Sequence, residues 1–174
     1  MKFKVYRLCR DNKRIEELKQ QKKEYSLPES VYITGIDLYS FTNKIINDCN
    51  DDYALLCHDD VILPKDIENN VNNCINSANR YFGSNNWGVI GNAGLEIISK
   101  QTITFLADPH TKILPYSTKN PIIAESIDGN TMLLNIKALR RKKINLPKEL
   151  SGYHLYDVIL CMESYKNGLV CAIS

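Results

Sequence analysis

Two neighbouring carboxylates, Asp59 and Asp60, follow the apolar run Tyr53–Cys57 after a single residue, His58, and precede Val61-Ile62-Leu63-Pro64. The run is too short for a helix and has acids on both sides, which predicts a buried parallel strand. In open α/β sheets ligands bind beyond the carboxyl ends of the strands, so the pair stands where a ligand is expected. Adjacent negative charges there are costly unless a cation or hydrogen bonds compensate them. A hard divalent cation, Mn²⁺ or Mg²⁺, matches carboxylate oxygens and would bridge to a diphosphate, stabilising charge on a leaving nucleotide. A solvated turn carrying two acids accounts for the same residues without chemistry. Residue types alone leave both readings open.

The elements needed to position such a pair can be read along the chain. Lys2–Cys9 alternates Phe3, Val5 and Leu8 with basic residues and predicts a first strand. Asn12–Glu24 predicts a charged helix with Ile15 and Leu18 on one face, stopped at Leu27-Pro28. Val31–Ile36 is β-branched and aromatic, a second strand, and Phe41, Ile45, Ile46 and Cys49 recur at helical spacing. Pro64 is expected at a helix start, where its missing N–H costs little. Ile67, Val71, Cys74, Ile75 and Ala78 continue as an amphipathic helix. Beyond the turn-rich Gly83–Asn86 come short strand candidates at Trp87–Ile90, Glu96–Ser99, Thr102–Leu106, Ile122–Ile127 and Thr131–Leu134. A helix from near Tyr156 stops at Asn167-Gly168, and Leu169–Ile173 closes the chain as a strand. Such alternation of strand and helix is the signature of an α/β layer fold.

With 174 residues, 44% of them hydrophobic, the chain can bury one sizeable core but hardly two. A formal net charge of +2 gives no electrostatic case for nucleic acid. No apolar run approaches the roughly 20 residues that span a bilayer, and the N-terminus lacks a secretory h-region, so a cytoplasmic protein is expected. The basic first helix (Lys13, Arg14, Lys19, Lys22, Lys23) is either a solvated face or a peripheral contact for an anionic membrane surface. The six cysteines form no CxxC pair and lie mostly in apolar stretches, as buried reduced thiols do.

The stretch Phe41-Thr42-Asn43-Lys44-Ile45-Ile46, with Asp52 to Pro64 after it, resembles the family 2-like glycosyltransferases of the GT-A type. Those carry an Asn-containing helix, an apolar strand, a DxD-type motif and a Pro-started helix. His58-Asp59-Asp60-Val61 is similar to the His-x-Asp-Val with which one branch replaces the DxD. Gly88–Gly94 looks like the glycine-containing segment after that helix, and Asp128–Leu134 like the acceptor-side strand. Gly152–Cys161 is similar to the family's Glu-Asp-x-Asp-Leu-Cys helix start. The match runs in order from about Val31 to the C-terminus.

The resemblance implies a three-layer α/β/α fold with a mostly parallel mixed sheet. It implies one catalytic domain over 1–174, with a nucleotide-binding part to about residue 82 and an acceptor-side part after it. The implied reaction moves a sugar from a nucleotide-sugar donor to a glycan or other hydroxyl acceptor, with inversion and with Mn²⁺ or Mg²⁺. Asp60 would hold the metal, or Asp59 if the alignment slips by one, with His154 a further neighbour of metal or phosphate. His58 would orient the strand end or touch the diphosphate. Asp157 falls on the base position, where a helix cap is the competing account. Thr34, Gly35, Asp37 and Asn43 would contact the donor, and Arg10 or Asp11 its base or ribose. Two departures stand out: Ile159 replaces a second acid, and Tyr156 replaces Glu. Both thin the acceptor-side carboxylate network, and Ile159 together with the short chain favours the alternative of a degenerate module that binds nucleotide or glycan without turnover. An unrelated receiver-like acid pocket would need a strand-end Lys or Thr, and none is evident.

Overall fold

The computed structural model describes residues 2–25, 29–105 and 120–174. In chain order the elements are β1 (Phe3–Leu8), α1 (Asn12–Tyr25), β2 (Ser30–Ile33), α2 (Leu38–Asp48), β3 (Tyr53–His58), α3 (Ile67–Phe82) and β4 (Trp87–Gly91). There follow β5 (Ala93–Glu96), β6 (Thr102–Thr104), β7 (Ile122–Ile127), β8 (Thr131–Asn135), α4 (Ile136–Arg141), α5 (Tyr156–Lys166) and β9 (Val170–Ile173).

Nine strands among the described residues form one mixed sheet in the order β2-β1-β3-β8-β4-β9-β7-β5-β6. β1 lies between β2 and β3 and runs parallel to both, with Leu8 opposite Ile33 and His58. β4 and β9 are also parallel. β8 enters antiparallel between β3 and β4, and β7, β5 and β6 continue antiparallel beyond β9. The carboxyl ends of β1, β2 and β3 therefore sit side by side, and the start of β8 meets the end of β3.

Strand alternation sorts the interior into two cores. Ala54, Leu56, Val89, Met132, Leu134 and Cys171 face a core closed by α2, α4 and α5. Val5, Leu55, Cys57, Ile90, Leu133 and Ala172 face the other, closed by α3 through Ile67, Val71 and Ile75. The result is a three-layer α/β/α arrangement. α2 starts at Asp37, whose carboxylate accepts from the Ser40 N–H at 3.0 Å, and it lays Phe41, Ile45 and Ile46 on the sheet.

Three local expectations need correction. Pro64 does not open α3. Its carbonyl accepts from Ile67 N at 3.1 Å in a turn, and the helix begins at Ile67. The strand expected at Glu96–Ser99 lies earlier, at Ala93–Glu96. The Glu96 carboxylate takes the N–H groups of Ile98 and Ser99 and folds those residues into a turn. α4 was not expected, because six residues are too few to display a period. Its start is marked by Asn135, whose side chain accepts from Ala138 N at 3.1 Å. The Leu27-Pro28 helix stop and Leu106 lie outside the described residues.

The sole tryptophan, Trp87, is fully buried. It stacks on Tyr53 with 5.7 Å between ring centroids, and its indole N–H donates to Asn79 Oδ1 at 2.8 Å. We expect Trp87→Ala to lower the free energy of unfolding by about 3–5 kcal/mol, the usual cost of emptying a buried aromatic site. Urea denaturation followed by circular dichroism measures it, and a loss under 1 kcal/mol would contradict this packing.

Candidate active site

The turn His58–Val61 is held from beneath and from the side by three arginines. Arg7 points from β1 into the α3-side core, is almost fully buried, and donates through Nη1 to the carbonyls of His58 at 2.9 Å and Val61 at 3.0 Å. Arg14, on α1, donates through Nε to the carbonyl of Asp59 at 2.9 Å. Arg10 donates both its backbone N–H (3.1 Å) and its Nε (3.2 Å) to Asp59 Oδ2. A buried guanidinium must be paired, and here its partners are main-chain carbonyls of the acidic turn. Partial burial works against the charge on Asp59. The Arg10 hydrogen bonds, its charge and that of Arg14 outweigh this and hold the carboxyl below the ordinary carboxylate range.

A cavity of about 490 Å³ opens on this turn, lined by Leu8, Cys9, Arg10, Leu38, His58, Asp59, Asp60 and Tyr153. Its floor is apolar and its rim charged, and it lies beyond the carboxyl ends of β1 and β3. Tyr153 reaches the rim from the α4–α5 loop, where Gly152 O accepts from Leu38 N (3.1 Å) and His154 O from the Tyr39 hydroxyl (2.9 Å). A larger cavity, about 560 Å³, lies on the other side of the same turn between α3 and the sheet. Its lining includes no Asp or Glu side chain.

Asp157 stands in the first turn of α5 and is tied to the β7–β8 turn. Its Oδ2 accepts from Gly129 N at 2.8 Å and its Oδ1 from Val158 N at 2.8 Å. Tyr156 donates its hydroxyl to Gly129 O at 2.6 Å, and the same hydroxyl is 2.9 Å from His58 Nε2. Both backbone groups of Gly129 are thus gripped by consecutive residues of α5. A methyl group at Gly129 would fall 2.1 Å from the Tyr156 hydroxyl, so only glycine fits. Burial, and then the charges of Asp157 and Asp128, push the Tyr156 phenol far above its ordinary pKa and keep it a donor.

His58, Asp59, Asp60 and Arg10 are brought together at the cavity, and Asp157 joins them through Tyr156. The other predicted residues fall elsewhere or hold other groups. Both polar atoms of Asn43 engage the backbone of Leu146, at 3.0 and 2.7 Å. Asp37 caps α2, and hydrogen bonds from Ser40 and Tyr39 overcome its partial burial to lower its carboxyl. Asp11 accepts from Arg14 N at 2.8 Å at the start of α1. Thr34 and Gly35 lie on the β2–α2 loop, and Gly35 takes φ 76° there. His154 is exposed and does not line the cavity. The roles of Arg7, Arg14, Tyr153, Tyr156 and Gly129 were not anticipated. A signal existed for Arg7, an arginine on the inward phase of an alternating strand.

Among the described residues no group of three or more His, Cys, Asp or Glu side chains could hold a metal ion. Asp59 is engaged by Arg10, whereas Asp60 is exposed and lines the cavity. This donor set suits a cation that takes one or two protein carboxylates and completes its shell with phosphate oxygens and water.

No family model matches the chain, and no curated protein matches it by sequence. Solved structures do match. S. aureus TarS residues 1–349 aligns with a TM-score of 0.58 at 11% identity, covering 100% of this chain and 58% of that one. The same fragment in complex with UDP-GlcNAc gives 0.56 at 11% identity, covering 100% and 56%. TarS itself gives 0.62 at 12%, covering 100% and 35%. The chain shares with these structures an α/β, GT-A-like fold. The chain spans just over half of the 1–349 fragment and about a third of TarS. No helix among the described residues is long and apolar enough to cross a membrane.

The Arg10–Asp59 contact has a pH signature. A carboxyl lowered in the folded state stabilises above its unfolded pKa, and the contribution disappears as pH falls through the folded value. We expect Arg10→Ala to raise the Asp59 carboxyl toward the ordinary range, read by carbon NMR titration of the metal-free protein. The gap in melting temperature between wild type and variant should be widest above about pH 5 and should close on acidification. A gap that grows with acid would refute the assignment.

Proposed function

We propose that the chain is a glycosyltransferase domain. It takes a nucleotide-sugar donor at the cavity beyond β1 and β3 and transfers the sugar, with inversion, to a glycan or other hydroxyl acceptor. What supports the reading is the cavity walled by Arg10, His58, Asp59 and Asp60, in a fold whose solved neighbours include one bound to UDP-GlcNAc. The apolar floor of Leu8, Cys9 and Leu38 suits a flat nucleobase, and the charged rim suits a diphosphate. Asp60 would hold a divalent cation, Mn²⁺ or Mg²⁺, with Asp59 kept in place by Arg10. Such a cation, when bound, supplies charge stabilisation to the departing diphosphate. Arg10, at the same wall, adds a positive charge of the chain's own.

Asp157 is the base of this proposal. Each of its oxygens accepts one backbone N–H, which leaves lone pairs on both for an acceptor hydroxyl. It takes that proton as the hydroxyl oxygen attacks the anomeric carbon and the bond to the diphosphate breaks. Gly129 and the α5 N-terminus set the direction of the carboxylate, so the proton is removed from a defined side.

A second reading, a binding module without turnover, draws on the hydrogen bonds that already engage Asp157 and Asp59, and on Ile159 in place of an acid. Turnover separates the two. We expect UDP-GlcNAc with Mn²⁺ to raise the melting temperature of the protein and to be hydrolysed or transferred. Asp157→Asn should leave nucleotide affinity near wild type while lowering turnover by roughly 10²-fold or more. Donor bound without hydrolysis or transfer to any acceptor would establish the binding module. In calorimetry Asp60→Ala should abolish the metal-dependent part of donor binding, and normal affinity in that variant would remove Asp60 from the site.

A further inference from the structure

Tyr153 has a fixed backbone and a free ring. Its side chain is 63% exposed, and among the described residues its hydroxyl makes no hydrogen bond and its ring meets no other aromatic ring. The chain on either side of it is clamped to the start of α2. Gly152 O accepts from Leu38 N at 3.1 Å, and His154 O accepts from the Tyr39 hydroxyl at 2.9 Å. The same stretch holds two positive-φ positions, Gly152 at 114° and Leu155 at 62°. Leucine rarely adopts such a conformation, which persists only where the surroundings impose it. A ring held ready on a fixed backbone loses little entropy when it captures a ligand.

That ring lines the cavity beyond β1 and β3 together with the apolar side chains of Leu8, Cys9 and Leu38. The end of β1 brings no ring of its own, and apart from His58 no other described residue of the lining is aromatic. We infer that Tyr153 stacks on the nucleobase of the nucleotide donor, presented by the loop that clamps onto α2. The inference rests on the nucleotide-sugar reading for its ligand. A nucleobase has two apolar faces and carries its polar groups at the edge, so an aromatic face over it leaves no hydrogen bond unmade. A sugar carries hydroxyls all round its ring, and Leu8, Cys9 and Leu38 would leave those unpaired. The loop runs on into α5, so the ring that takes the nucleobase and the carboxylate of Asp157 belong to one short stretch of chain.

Calorimetry with Mn²⁺ tests this with UDP, GDP and ADP on the wild type, the tightest of the three then being carried through the variants beside pyrophosphate. Tyr153 is exposed, so its variants should keep the wild-type melting temperature. We expect Tyr153→Ala to weaken the nucleotide by about 5- to 100-fold, the scale of one base–aromatic stack. Tyr153→Phe keeps the ring and should stay within about 2-fold, and pyrophosphate should bind all three proteins equally. Tyr153→Trp supplies a direct signal of stacking. The native Trp87 is fully buried, so the nucleotide should quench the emission of the introduced indole and leave the wild-type emission unchanged. Wild-type nucleotide affinity in Tyr153→Ala, an equal loss for pyrophosphate, or nucleotide binding to Tyr153→Trp without quenching would each overturn the inference. A loss for UDP-GlcNAc without one for UDP would put the ring on the sugar and overturn it too. Those results leave the glycosyltransferase reading standing, whereas a wild-type chain that binds no nucleotide and no UDP-GlcNAc would remove both.

Discussion

A buried guanidinium holds the acidic turn in place. Arg7 sits on an interior strand with almost no exposure, and its guanidinium donates to two carbonyls of the turn that carries Asp59 and Asp60. Leaving such a cation unpaired in the interior would cost several kcal/mol, so the chain after β3 has little freedom to turn elsewhere. Arg14 and Arg10 add contacts at the next residue. Two carboxylates at a strand end are thereby tolerated by fixed positive charge, with one left engaged and the other open.

The second constraint runs across the sheet. β8 enters antiparallel between β3 and β4, so Asn130, just before β8, accepts from His58 N at 2.9 Å. That places Gly129 within reach of α5, and Tyr156 and Asp157 take hold of it. The strand-end turn and the start of α5 are therefore parts of one hydrogen-bonded network. Hydrogen bonds of this kind fix the groups that make them, here His58 Nε2, the Tyr156 hydroxyl, both backbone groups of Gly129 and the Asp157 carboxylate. Rigid placement is what the proposed transfer would require of its base, because small misplacements are costly in rate.

Much of the framework was legible from local pattern. β1, β7 and α5 fall within a residue or two of the expected spans, since alternation, β-branching and the Asn167-Gly168 stop are all local signals. β3 extends one residue further than its apolar run, to His58, because Leu8 of β1 and the carbonyl of Asn130, just before β8, continue to pair with it. The turn at Glu96 was hidden because a carboxylate capturing two following N–H groups leaves no period. α4 was hidden because one and a half turns cannot show one. Of the candidate site, Asp59 and Asp60 were singled out by type and position, and Asp157 only by the family resemblance. Asn43 and Asp37 carry polar groups of the right kind, yet Leu146 and Ser40 engage them.

Local chemistry in the chain itself determined where strands and helices form, that they alternate, and that two acids follow a buried strand. Those properties depend on neighbours within a few residues. The tertiary structure alone decided which of the acids is open to a ligand, because the choice was made by Arg10, 49 positions from Asp59 in the chain. It likewise decided which ring nitrogen of His58 is engaged, through Tyr156, 98 positions away. Hydrogen bonds of that span leave no mark in spacing, since only the sheet order brings their partners together.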